Sequence, residues 1–353
     1  MSLVKIEDLK VAYEFPEWSL VAVNSVALDV AKKEFLAIVG ESGCGKSTLA
    51  LSLIGLLPTP PAKVLEGSIV YKGTDLVKLK PKDLRNYRGT EIAMIFQEPL
   101  TSLNPVQRVG SQIAEAILIR EKRKAGHAPP ETEVMQKVYR TDAPSAGKNL
   151  GGKKKLATEL RRESIEALKL VRVADPEQVL DRYPFELSGG MRQRVMIAMA
   201  LAQEPAVLVA DEPTTALDVT TQAQVLKLMK ELIDEVDTSI VLITHDLAVA
   251  SQVADRVVVM YAGEVVEDSG VFDLFSKPLH PYTKGLLSCI PTGSKDDTNL
   301  MPIPGAVPDL VNPPVGCRYA DRCPFVMDVC RSTAPKLIEV GPKHKVSCFL
   351  YGN

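Results

Sequence analysis

Nine consecutive residues, Gly40-Glu41-Ser42-Gly43-Cys44-Gly45-Lys46-Ser47-Thr48, have the types and spacing to hold a chain of phosphates. Glycines let successive backbone N–H groups turn inward around an anion. A helix starting there adds partial positive charge at its N-terminus. Lys46 is then placed to reach the β- and γ-phosphates, and the Ser47 hydroxyl to ligate Mg²⁺. Downstream, the apolar run Ala206–Ala210 ends on Asp211-Glu212. Asp211 suits the Mg²⁺ shell, and Glu212 suits a base that polarises a water in line with the γ-phosphate. A second apolar run, Ser239–Ile243, leads into Thr244-His245-Asp246. A lone histidine is more often structural, but in this company His245 reads as a donor to a γ-phosphate oxygen. The chemistry implied is hydrolysis of a nucleoside triphosphate.

These residues need a scaffold that brings strand ends together. Phe35–Val39 reads as a buried strand before the loop, and Leu49–Ile54 as a helix after it that halts near Pro58. Ala206–Ala210 and Ser239–Ile243 are apolar throughout, which fits strands buried on both faces of a parallel sheet. Ile92–Phe96 is another such strand, ending at Gln97. Residues 3–39 alternate short apolar runs with polar turns and suggest a small antiparallel layer. In it, Tyr13 is a candidate to stack on an adenine base, against the reading of a strand-face tyrosine; Phe15 and Trp18 are its rivals. Val257–Met260 and Glu264–Val266 read as a hairpin turning at Ala262-Gly263.

Residues 106–187 turn polar and helical, with apolar positions at helical spacing at Ile113, Ala114, Ile117 and Leu118 and again at Ile165, Leu168, Leu170 and Val171. Between them, residues 120–162 are rich in Lys and Arg. Two readings stand: a solvated insertion, or a site for an anionic partner such as lipid headgroups or nucleic acid. From about Lys277 a proline-rich, loop-dominated tail begins. The whole chain has 353 residues, 46% hydrophobic and 24% charged, with a net charge of −2. That balance is ordinary for a globular protein and argues against a chain-wide nucleic-acid footprint. The first residues show no signal-peptide pattern, and no apolar run is long enough to span a membrane. A cytosolic location is expected, with membrane contact only through a partner. Six cysteines there are expected to be free thiols rather than disulfides.

One further motif decides the family resemblance: Leu187-Ser188-Gly189-Gly190-Met191-Arg192-Gln193. Physically it is a second glycine-rich helix N-terminus and a second anion site. With the phosphate loop upstream, it resembles the signature sequence of ABC transporter ATP-binding subunits. The resemblance implies a head-to-tail dimer with two ATP molecules sandwiched between one subunit's loop, Gly40–Thr48, and the other's signature. Ser188, Gly189, Gly190, Gln193 and Asp218 would then contact ATP in trans. Thr215-Ala216-Leu217-Asp218 resembles the D-loop, with Thr215 where serine is usual. Gln97 matches the Q-loop, which senses Mg²⁺ and the attacking water, and Tyr13 aligns with the adenine-stacking aromatic. Gln97–Pro105, Leu187–Ala202, His280–Leu287 and Pro304–Pro308 followed by Gly316-Cys317 are similar to the dipeptide/oligopeptide permease ATPases, and Met191 to their D-type subunit. The match covers the chain apart from residues 120–162.

The resemblance implies an α/β fold: a phosphate-loop ABC ATPase core with an antiparallel layer, an inserted helical subdomain and a Cys-rich C-terminal extension. The expected boundaries are 1–97 and 188–276 for the core, 98–187 for the helical subdomain and 277–353 for the extension. It implies a peripheral subunit on the cytoplasmic face of the membrane. The partners would be two transmembrane permease subunits, a second ATPase of F-type, and indirectly a solute-binding protein. The cargo would be di- or oligopeptides, with oligosaccharide or nickel chelate as alternatives. A soluble ABC ATPase acting on nucleic acid is a rival, but one cassette without long heptads argues against it. Four tail cysteines, Cys317, Cys323, Cys330 and Cys348, have spacing that suits either zinc or an iron–sulfur cluster. In the peptide-permease ATPases such a tail is associated with a 4Fe–4S cluster, which favours the cluster over zinc. Cys44 reads as a loop filler and Cys289 as buried.

Overall fold

The computed structural model describes residues 2–97, 102–126, 151–215, 217–290 and 302–352. The middle of the basic segment (127–150), residues 98–101 of the stretch after Gln97, and Ala216 of the D-loop-like run lie outside the described residues. In chain order the strands are β1 (Ser2–Glu14), β2 (Ser19–Ala31), β3 (Phe35–Val39), β4 (Ala62–Tyr71), β5 (Thr74–Asp75), β6 (Ile92–Ile95), β7 (Val207–Asp211), β8 (Ser239–Thr244), β9 (Arg256–Tyr261), β10 (Glu264–Gly270), β11 (Ile338–Gly341) and β12 (His344–Val346). The chain divides into two compact units, Met1–Leu84 with Ser239–Asn353, and Arg85–Thr238.

The first unit holds two sheets. One is antiparallel in the order β2-β1-β4-β5. The short apolar runs expected between residues 3 and 31 are in fact two long strands. They look broken in sequence because bulges interrupt the alternation: the register slips between Ile6 and Leu9, where Asp8 takes a φ of 46°. In the other sheet β3 lies between β8 and β9, parallel to both. All residues of β3 and β8 are buried, which is why both read as unbroken apolar runs. β9 turns into β10 through Ala262 and Gly263, at φ 49° and 87°, the two-residue turn that suits a twisted hairpin.

The tail departs from expectation in part. Most of its described residues are loop, as expected, but it also adds two short strands: β12 pairs antiparallel with β10, and β11 with β12, so the C-terminal segment extends the sheet that carries the phosphate loop. Strands of three and four residues without strong alternation are hard to read in a proline-rich sequence. The anchor is Glu267 on β10, whose side chain is 0% exposed. It accepts from the Leu279 and His280 N–H groups at 2.8 and 2.9 Å and contacts His344 Nε2 at 2.8 Å. A carboxylate buried at this depth is tolerable because its oxygens are so engaged.

In the second unit β6 and β7 pair in parallel, Ile95 opposite Ala210. Helices Val109–Lys124, Gly151–Leu170, Gly189–Leu201 and Val219–Val236 make up most of the rest. The expected positions Ile113, Ala114, Ile117, Leu168 and Val171 are buried. Helix Val219–Val236 buries Val225, Leu226, Leu228, Met229, Leu232 and Ile233, one face of a 3.6-residue period. Several basic residues of 120–162 serve this packing. Arg120 bonds Glu163 at 2.6 Å and Glu204 at 2.9 Å, and Arg161 forks onto Asp181. Those cations are internally neutralised, which weakens the reading of the described part of the segment as an anionic-partner site.

Candidate nucleotide site

The phosphate loop joins the end of β3 to helix Lys46–Leu53. Gly45 sits at φ 97°, and a Cβ there would lie 2.2 Å from the Ala22 carbonyl oxygen, so only glycine fits. Lys46 is 5% exposed. Its ammonium donates to the Gly40 and Glu41 carbonyls at 2.8 and 2.9 Å, which draws the loop closed around it. Ser42, Gly43 and Ser47 are exposed on the loop. Cys44 is a buried filler, as expected, and burial raises its thiol pKa. Gly55, not Pro58, stops the helix: its N–H bonds Ser52 O and the Leu56 N–H bonds Leu51 O, a Schellman closure. The Tyr13 hydroxyl lies 3.2 Å from Thr48 Oγ1, so this ring is beside the loop. Phe15 and Trp18 stack on each other at 4.1 Å and are exposed.

His245 leaves the carboxyl end of β8, whose neighbour in register is β3, Thr244 opposite Val39. It is exposed. Asp246 behind it caps helix Leu247–Val253 by accepting from the Ala248 and Val249 N–H groups at 2.8 and 3.2 Å, which fixes the turn presenting the histidine. In this unit the loop and His245 therefore share one edge of a parallel sheet, where α/β folds place ligands.

The second unit has its own edge. Gln97 follows β6, and Asp211 ends β7 at 7% exposure. Gln97 Nε2 donates to Glu212 Oε2 at 3.0 Å, and Thr215 Oγ1 donates to the same oxygen at 3.0 Å. Glu212 adopts φ 44°, the left-handed region that a long side chain seldom takes without a reason. The two donors converge on one oxygen and so orient the carboxylate. Sequence reasoning gave Thr215 no role of its own; a hydroxyl three residues after the glutamate was the available signal.

The signature opens helix Gly189–Leu201. Ser188 caps it by accepting from the Met191 N–H at 3.3 Å, and Ser188 and Gly189 are exposed. A Cβ on Gly190 would meet Thr221 Cγ2 at 2.6 Å, so the glycine admits the neighbouring helix. Asp218 is exposed and caps helix Val219–Val236 through the Thr221 N–H and Oγ1, at 2.9 and 2.7 Å. These bonds, the Thr221 backbone one first, hold its carboxyl below the usual value. Gln193 is corrected as an exposed contact: it is 1% exposed, so its side chain is buried in this chain rather than displayed beside Ser188 and Gly189. Four residues past the exposed Gly189, helical geometry carries it one turn into the packed interior.

Known family models match this chain in two places. The ABC transporter model matches residues 23–215, and the model of the oligopeptide/dipeptide transporter C-terminal region matches residues 266–330. The chain is 45% identical to a probable peptide ABC transporter ATP-binding protein of Sinorhizobium fredii, over 98% of this chain and 94% of the relative. It is also 45% identical to the dipeptide transport ATP-binding protein DppD of Bacillus subtilis, over 99% and 94%. This chain belongs to the ABC transporter ATP-binding family. Its fold resembles the ATP-binding cassette MJ0796, solved as a dimer in a post-hydrolysis state bound to ADP and phosphate, at TM-score 0.58 and 27% identity, over 76% of this chain and 98% of that one.

The tail of this ABC ATPase brings four predicted ligands together. Cys317, Cys323, Cys330 and Cys348 are free thiols lining one small cavity with His280, Phe325 and Met327 among its other walls. Burial, with the neighbouring cysteines adding to it, pushes the Cys317 thiol up to about 12; burial raises Cys323 and Cys348 too. Among the described residues, no group of three or more His, Cys, Asp or Glu is arranged to hold a metal ion. Cys289, expected to be buried, is exposed just past helix Pro281–Ser288. Among the described residues no helix is long and apolar enough to cross a membrane.

Proposed function

We propose that this ABC ATPase energises the import of di- or oligopeptides through two transmembrane permease subunits, working from the cytoplasmic face beside a second ATPase of F-type. The observation that supports peptide cargo is the occurrence of both matches in one chain: the ABC transporter model on 23–215 and the oligopeptide/dipeptide C-terminal model on 266–330. Lys46 binds the β- and γ-phosphates, and Tyr13 stacks on the adenine. Ser47, Gln97 and Asp211 would hold Mg²⁺, whose charge offsets that of the phosphates; their oxygen donors suit that hard cation. Glu212, oriented by Gln97 and Thr215, polarises the attacking water, and His245 donates to a γ-phosphate oxygen. Ser188, Gly189 and Gly190, with Asp218, face the nucleotide held by the partner ATPase, while Lys46 serves this chain's own. An inserted helical region around Val109–Leu170 receives the permeases' cytoplasmic helices near Gln97. The test is ATPase activity of the complex with its permeases and solute-binding protein in vesicles. Peptide-loaded binding protein is expected to stimulate turnover; stimulation by an oligosaccharide or nickel chelate and not by peptides overturns the cargo.

The Cys-rich extension is proposed to carry a 4Fe–4S cluster on Cys317, Cys323, Cys330 and Cys348. Four thiols around one cavity supply the right donor set. That set suits zinc as well, and the resemblance to the peptide-permease ATPases is what favours the cluster. Ligation there must displace thiol protons, so it is favoured at higher pH. Anaerobically purified chain is expected to hold roughly four irons, a content tied to these ligands. Cys317→Ser or Cys348→Ser should lower it, and Cys289→Ser should not. Zinc without iron overturns the cluster.

A further inference from the structure

The phosphate loop carries a carboxylate, Glu41, at a place built to receive polyanions. By itself that charge opposes triphosphate binding. In the structure Glu41 is held at three points. Its carbonyl accepts from Lys46 Nζ at 2.9 Å, its N–H donates to the Tyr282 hydroxyl at 3.0 Å, and its two carboxylate oxygens receive Arg322 Nη1 and Nη2 at 2.7 and 3.0 Å. The last contact is a two-pronged fork from a guanidinium whose side chain is 5% exposed. Arg322 is itself fixed. Its Nε donates to the Pro304 carbonyl at 2.9 Å, Nη1 to the Tyr261 hydroxyl at 3.3 Å, and the guanidinium lies 5.6 and 6.0 Å from the Tyr261 and Tyr319 ring centres.

Arg322 ends a single 3-10 turn, Ala320–Arg322, flanked by Cys317 and Cys323. The same stretch sends a second arginine to the loop by another route. Arg318 donates to the Ala262 carbonyl and pairs with Glu264 at 3.1 Å. The adjoining Gly263 N–H donates to the Cys44 carbonyl at 2.9 Å. Two thiols of this stretch face the cavity, and two guanidiniums from it brace the phosphate loop.

We infer that the C-terminal extension is a strut for the nucleotide site, with Arg322 a positioning residue that pins Glu41 and neutralises its charge so that the loop accepts a triphosphate. The inference rests on the loop binding ATP and does not depend on what the thiols hold. It makes the phosphate loop incomplete without a segment some 280 residues away in the chain. The effect is electrostatic and geometric together: without Arg322, an unpaired carboxylate remains beside the phosphates on a loop held at one point fewer.

The experiment is titration of purified full-length chain with a fluorescent ATP analogue and Mg²⁺, alongside thermal melting and hydrogen exchange over residues 40–46. Arg322→Gln should weaken nucleotide binding by about tenfold or more and speed exchange in the loop. Glu41→Gln combined with Arg322→Gln should recover most of that affinity, because the repelling charge is gone. A role confined to stabilising the tail predicts no such rescue, so a double variant as weak as Arg322→Gln overturns the inference. So does Arg322→Gln with wild-type affinity and loop exchange. If Arg322→Gln does not fold, Arg322→Lys keeps the charge and loses the fork. It should then show faster loop exchange with a smaller affinity loss, and wild-type exchange overturns the inference. Lys46→Ala is the control for the site itself: if it binds nucleotide as wild type does, the loop assignment fails before the strut is tested.

Discussion

The phosphate loop and the signature are both glycine-rich helix N-termini, and they are built differently. The phosphate loop is closed on itself. Lys46 is buried and tied to two carbonyls, Gly45 fits against Ala22, and Glu41 is fixed by Lys46, Tyr282 and Arg322. The signature start is open: Ser188 and Gly189 are exposed, and Ser188 caps the turn by accepting from the Met191 N–H at 3.3 Å. Both present backbone N–H groups to an anion. A cradle closed on itself is shaped to hold a nucleotide alone, whereas an open one is accessible to an anion carried by another molecule. The difference supports the proposal that the first holds this chain's own ATP and the second meets a partner's.

The largest expected effect separates chemistry from binding at either end. Glu212→Gln keeps the side chain's shape and its hydrogen bonds from Gln97 and Thr215 in reach, but removes the base. Turnover of the reconstituted complex should fall by about 10²–10⁴-fold, the range for removing a positioned general base. ATP binding should persist, and the ATP-bound dimer should accumulate. Steady-state hydrolysis near wild type would take Glu212 out of the mechanism and leave both cradles as binding sites only.

The next test sets the two cradles against each other. Lys46→Ala should abolish nucleotide binding by the isolated chain. Gly189→Asp should leave that binding unchanged within about twofold, a difference of roughly 0.4 kcal/mol by the affinity relation, and still block hydrolysis in the complex. It places a carboxylate where the partner's triphosphate would approach. Equal losses of monomer affinity in the two variants would mean that the signature serves its own chain.

How much of this was legible in the sequence follows the same division. The closed cradle was readable residue by residue, because its chemistry is local: consecutive glycines, one lysine and one hydroxyl between a strand and a helix. The buried strands β3, β7 and β8 were readable for a similar reason, since burial on both faces leaves apolar runs. What supports the cradle was not readable. Arg322 and Tyr282 act across hundreds of residues, and nothing in Cys317–Cys323 announces that Arg322 meets a phosphate loop or that Arg318 meets the hairpin beside it. Gln193 is buried although it lies on the same side of the helix as the exposed Gly189, because motif membership does not say how far up the helix its neighbours pack. The bulged strands β1 and β2 were underestimated because an inserted residue breaks the period by which strands are recognised.

The smallest expected effect concerns the wall of the open cradle. Asp218 fixes Thr221 through its N–H and its hydroxyl, and Thr221 Cγ2 lies 2.6 Å from where a Cβ on Gly190 would be. The ionised carboxylate is the better acceptor for both bonds, which is why its pKa lies below the usual value of 3.8. The sign of the linkage follows. A carboxyl that gives up its proton more readily in the folded chain contributes stability that is present above its unfolded pKa and is lost as pH falls through the lower folded value. Asp218→Asn keeps an acceptor oxygen at the cap but no charge to titrate. Its urea midpoint should therefore sit slightly below wild type at neutral pH, and the two should converge as the pH drops below the ordinary aspartate range. Because Asp218 is exposed, salt should shrink the gap at neutral pH. Parallel pH profiles for the two proteins would mean that geometry alone, not charge, fixes Thr221 and the wall beside Gly190.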